Sequence, residues 1–164
     1  MPGGGPCADA RRARVRRTVL RVEGKGRALL LTAPNTHLGL AWATLCVAFA
    51  IHVADEALTD FLSVYNPAVR AIRTRFPFLP LPTFTFRVWL TGLVAAVLVL
   101  ASLTPLAFRG VAWIRPVGYA YGIVMVGNGL LHLVGSFCMR KAMPGVYSAP
   151  LILGAAIYLL VSVP

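Results

Sequence analysis

Negative charge is scarce in this chain. Five Asp and Glu stand against sixteen Lys and Arg among 164 residues, for a formal net charge of +11. Charged residues of both signs make up only 13%, while 58% are hydrophobic. A soluble domain of this length needs less apolar side chain, and does not gather it in runs of about twenty residues. Cysteine is scarce too. Cys7, Cys46 and Cys138 are an odd number without paired spacing, which excludes a disulfide framework and a zinc-binding Cys pair. The basic stretch before the first apolar run has no aromatic residue to stack on bases, so a nucleic-acid-binding tail is disfavoured. It also lacks the serine enrichment of a transit peptide.

Charge is missing altogether from residues 88–108, VWLTGLVAAVLVLASLTPLAF, and 142–164, AMPGVYSAPLILGAAIYLLVSVP; residues 116–138, PVGYAYGIVMVGNGLLHLVGSFC, carry only His132. A helix needs about 20 apolar residues to cross a hydrocarbon layer ~30 Å thick, so each run is a candidate span. A further run is apolar from Leu38 to Ile51 and then turns abruptly polar. These runs predict an all-α fold: an integral membrane four-helix bundle over 31–164, with spans at about 37–56, 86–108, 116–138 and 143–163. A disordered basic N-terminal tail over 1–30 precedes it. The longest connection, 57–84, holds Pro77, Pro80 and Pro82. Prolines this dense exclude a helix and predict an extended or turning segment, on the membrane interface or folded over the bundle as a lid. Eight of the sixteen basic residues lie within 11–27, which places the N-terminus in the cytoplasm beside anionic lipid. The Arg-, Ala- and Val-heavy usage suits a high-GC bacterial genome, and the expected location is the bacterial cell membrane.

Three of the five acids, Asp55, Glu56 and Asp60, sit together at the end of the first apolar run. His52, Asp55 and Glu56 are spaced i, i+3, i+4, and so share one helix face, which Thr59 continues. Thr59 and Asp60 themselves read as solvated helix-end residues. Asn128, His132 and Ser136 recur every four residues and form a second stripe. Ionisable groups within a membrane segment are costly and face the protein interior. Spans 1 and 3 run the same way. At 1.5 Å per residue, His52 lies roughly 22 Å along the first, and Asn128 and His132 roughly 18 and 24 Å along the third. The two stripes therefore fall at one depth. Tyr147 and Ser148 at the start of span 4 enter near that level, and Arg87 at the start of span 2 is placed to meet the carboxylates. Ser136 alone reads as glue between helices.

A His, two spacers and two acids closing a first membrane helix, then Asn-xxx-His-xxx-Ser, then Pro-Gly, resembles the HXXEE domain family of small membrane proteins. The matching segments are HVADE, NGLLHLVGS and PGVYSAP. Asp55 stands where that motif has its first Glu, one methylene shorter. The resemblance supports a site without naming a reaction. Three functions remain open for it. His52, Asp55, Glu56 and His132 form a plausible shell for iron, manganese or zinc. Alternatively, Glu56, His52 and His132 perform metal-free acid–base chemistry on an isoprenoid, sterol-like or other lipid substrate, with Asn128 as an orienting donor, Tyr147 as a further donor and Arg87 beside the carboxylates. The third function is a transporter, proton relay or assembly factor. The expected partners are membrane lipid and a hydrophobic small molecule, with no nucleic acid; the oligomeric state is open.

Overall fold

The computed structural model describes residues 35–163, and the regular elements among them are all helical. The predicted tail lies outside the described residues. In chain order the helices are α1 (Thr36–Leu58), α2 (Leu62–Arg75), α3 (Phe86–Ser102), α4 (Thr104–Phe108), α5 (Ile114–Met139) and α6 (Ala149–Ser162). Three stretches are long and apolar enough to cross a membrane: Thr36–Leu58, Phe86–Phe108 and Ile114–Met139. The second spans α3 and α4, which part at Leu103, where Pro105 cannot donate to the carbonyl a turn before it.

The expected fourth span is shorter than predicted. Residues 143–148 form a turn around Pro144 and Gly145, and only the 14 residues of α6 are helical. That length covers about 21 Å, less than the ~30 Å of a bilayer core. The 57–84 connection also departs from expectation. Its first half is a helix, α2, which tolerates Pro67 early in its length. The Pro-rich remainder is non-helical, as the prolines require. It is tied to α2: Asn66 donates to the Phe84 carbonyl (2.9 Å) and accepts from its N–H (3.1 Å), and the Tyr65 hydroxyl donates to Pro82 (3.1 Å).

α1 is the central element. Asn35 caps it, its Oδ1 accepting from Leu38 N–H at 3.0 Å. Leu38, Trp42, Leu45, Phe49, His52 and Glu56 lie along its buried face. It packs on α3, α4 and α6. α5 and α6 approach closely because the α5 contact face carries Gly118, Gly122 and Gly129: a Cβ on Gly122 would stand 2.7 Å from the Leu160 side chain. α1 and α5 instead meet through rings, with Tyr121 against Trp42 and Phe49 at 5.6 and 6.3 Å between centroids. This ring-filled seam leaves room for side chains to converge at its far end.

Candidate functional site

At that end α1 presents His52 and Glu56, one turn apart, and α5 presents His132. The two imidazoles meet edge to face, 4.8 Å between centroids and 80° between planes. Glu56 Oε1 lies 3.0 Å from His132 Nε2 and 3.5 Å from His52 Nε2. Exposure of His52, Glu56 and His132 is 0, 5 and 1%, so the carboxylate has lost nearly all contact with solvent. A charge so enclosed must be balanced by a protonated imidazole or a cation. Phe61, just beyond α1, covers the other side of His132 at 5.6 Å and stacks on Trp89 at 5.9 Å.

Asp55 points elsewhere, although it neighbours Glu56. Its Oδ2 accepts from the Ser148 N–H (2.8 Å) and from the Ser148 hydroxyl (2.7 Å). The Ser148 oxygen in turn lies 2.8 Å from His52 Nδ1. A carboxylate can only accept, so the hydroxyl proton goes to Asp55 and the Ser148 oxygen accepts from His52 Nδ1–H. In the neutral ring Nε2 then carries the lone pair. That buried nitrogen has no hydrogen-bond partner, and neither has Nδ1 of His132. His52, Glu56 and His132 each offer one ligand atom, all within 4.8 Å of one another.

The turn before α6 closes over this group. Gly145 N–H donates to Thr59 Oγ1 (3.1 Å), whose own hydroxyl donates to the Asp55 carbonyl (2.6 Å). Gly145 has φ of +85°, and a Cβ there would stand 2.8 Å from His132 Cε1 and 3.0 Å from Glu56 Cγ. Both conditions demand glycine.

Residues 43–159 match the family described as proteins of unknown function with an HXXEE motif. The chain belongs to the HXXEE family. No curated protein and no solved structure matches it. In this HXXEE chain the His and the second acid of the motif enter the cluster, while the position held by Asp55 anchors the start of α6. The shorter Asp side chain therefore costs the cluster nothing.

Several predicted site residues stand apart from it. Asp55 is not among the converging ligand atoms, because Ser148 takes its carboxylate. Arg87 is exposed and forms no ion pair among the described residues: Trp89, two positions on, faces inward, which turns Arg87 to the opposite side of α3. Tyr147 is 75% exposed, and its neighbour Ser148 enters instead. Asn128, one turn before His132, is half-buried and makes no hydrogen bond to the cluster. Ser136 accepts from Met143 N–H at 2.9 Å and so ties α5 to the turn after it. Thr59 is a turn anchor rather than a solvated end. Sequence reasoning singled out neither Gly145 nor Phe61, although Pro144-Gly145 was visible as a motif. It also overlooked the Gly118-xxx-Gly122 spacing that seats α6.

Proposed function

We propose that this HXXEE protein is an integral membrane protein of the bacterial cell membrane, with its N-terminus in the cytoplasm. We further propose that it holds a divalent transition metal (iron, manganese or zinc) on His52, Glu56 and His132 and acts on a lipid-soluble substrate. One observation carries the metal reading: a fully buried His52 Nε2 without a hydrogen-bond partner, in a ring whose other nitrogen is held by Ser148 and, through it, by Asp55. Metal-binding histidines are oriented in this way, by an outer hydrogen bond that ends on a carboxylate. Spacings of 3.0 and 3.5 Å from Glu56 Oε1 to the two Nε2 atoms suit neighbouring ligands with bonds of about 2.1 Å. Two imidazoles and one carboxylate would hold the ion, and the chemistry it would supply is polarisation of a substrate oxygen or activation of water. The protein's own part is to fix the ligands, supply the carboxylate charge and, through Phe61, limit access to His132.

A second reading is supported by the 3.0 Å approach of Glu56 to His132, a carboxylate–imidazole pair fit for proton transfer without a metal. A transport path is supported less well, since it needs polar groups along the whole crossing and these gather at one end of α1.

The test is elemental analysis of the full chain purified in detergent, with helix content followed by circular dichroism. Bound iron, manganese or zinc at near one per chain is expected. His132→Ala is expected to lower metal affinity by more than ~100-fold, beyond the range of outer-sphere changes, with helix content retained. Wild-type protein with no metal and no affinity for these three ions sinks the metal reading and leaves the acid–base one.

A further inference from the structure

α2 packs along no other helix. Leu62, Tyr65 and Val69, spaced i, i+3, i+7, form an apolar stripe on it, and this half is covered. Leu62 and Val69 are buried, and the Tyr65 ring stacks between Phe61 and Phe84. Ile72 and the cap residue Phe76 prolong the same stripe, yet both are exposed. So is every residue from Arg70 to Phe78. The stripe runs off the protein body, and the Phe78 ring stands beyond its end in edge contact with Phe76.

Arginines flank the uncovered half. At about 100° per residue, Arg70 and Arg73 fall on one side of the stripe and Arg75 on the other. No Asp or Glu occurs between Phe61 and Arg87, and these three arginines form no ion pair among the described residues. Arg70, Arg73 and Thr74 share a face and, with Pro77, wall a cavity of about 400 Å³. Guanidinium groups match phosphate oxygens in charge and in geometry. Topology sets the level. α2 lies in the connection between two consecutive membrane-length stretches, which must be joined on one face. The bonds from Tyr65 and Asn66 to Pro82 and Phe84 hold it beside the start of α3. An apolar stripe between arginines at that boundary fits a lipid surface, with the rings among acyl chains and the guanidiniums among phosphates.

We infer that α2 and the rings that follow it form a membrane-surface site for an anionic phospholipid, whose phosphate seats on Arg70 and Arg73 and whose acyl chains cover Ile72, Phe76 and Phe78. This site rests on the membrane reading of the chain and is independent of the metal one.

The experiment uses the full chain in phosphatidylcholine nanodiscs. Photoactivatable phosphatidylglycerol and phosphatidylcholine with the same acyl chains are added separately at trace level, and crosslinked residues are mapped by mass spectrometry. Phosphatidylglycerol should label residues 70–78 about fivefold more than phosphatidylcholine does, the effect of one arginine at an anionic head group. The excess should shrink as salt is raised from ~0.1 M to ~1 M, because exposed charges are screened. Arg70→Gln combined with Arg73→Gln should bring the ratio below about twofold. Helix content by circular dichroism should not change in that variant, since both side chains are exposed. Phe78→Ser should reduce labelling of the segment by both lipids. Equal labelling of residues 70–78 by the two lipids, or an excess that survives the double substitution, overturns the proposal. Labelling of the exposed α3 face at Val94 and Leu98 reports separately on the bilayer. Its absence sinks the membrane reading, whereas its presence with equal labelling at α2 sinks only the phospholipid site.

Discussion

The two ends of α1 solve opposite problems. Near its start, large polar-tipped rings are buried and every tip is satisfied: Trp42 Nε1 donates to the Leu100 carbonyl at 2.9 Å, and the Tyr121 hydroxyl donates to the Leu45 carbonyl at 3.3 Å. Near its end, two imidazoles and a carboxylate are buried as deeply, yet His52 Nε2 and His132 Nδ1 are left without hydrogen-bond partners. Buried polar groups are nearly always paired, and an unpaired one costs about 1–3 kcal/mol. The same helix thus carries a closed seam at one end and an unfinished one at the other. The second arrangement is the one the proposed metal site requires.

Substitutions can break this contrast, and the largest effect belongs to the closed end. Trp42→Ala should destabilise the fold by about 3–5 kcal/mol, because it opens a cavity between α1, α3 and α5 and removes the indole bond to the Leu100 carbonyl. Denaturant titration in detergent measures it. A cost below 1 kcal/mol would mean that the ring seam does not hold the helices together.

Gly145→Ala tests the turn that closes the unfinished end. Its positive φ and the contacts awaiting a Cβ predict a loss of about 1–3 kcal/mol. The His132 ring should be displaced as well, so metal affinity should fall together with stability. Unchanged affinity would show that the turn and the cluster are independent.

Ser148→Ala acts on His52 without removing a ligand. It cuts the link between Asp55 and His52 and should lower metal affinity by roughly 10–100-fold, the range for outer-sphere partners. Ser148→Thr, which keeps the hydroxyl, should recover most of it. Equal losses in both variants would point to packing rather than to the hydrogen bond. The smallest effect is expected at Arg87. Arg87→Gln should leave stability within ±0.5 kcal/mol and metal content unchanged, since the side chain lies outside both ends.

Helix spacing explains which site residues were legible. His52 and Glu56 are one turn apart, so any helix through them puts both on one face, and equal depth along two parallel spans is enough to pair them with His132. Depth alone does not decide rotation about the helix axis. Arg87 lies at the right end of α3 but on the wrong side of it, and Asn128 lies a turn short of the cluster. Tyr147 and Ser148 are adjacent, and the turn geometry decided which of them enters.

Hydropathy runs and helical periodicity are local properties, so the apolar helices, the basic segment before them, the polar layer and membership in a motif-defined family could all be read from residue order. Only the folded chain shows that Asp55 serves Ser148 rather than the cluster, that Gly145 lies against His132, and that α6 is shorter than the three stretches long enough to cross a membrane. Those outcomes depend on contacts between residues 86 and 93 positions apart, Gly145 with Thr59 and Ser148 with Asp55. No local pattern encodes which of two neighbouring carboxylates such a contact will take.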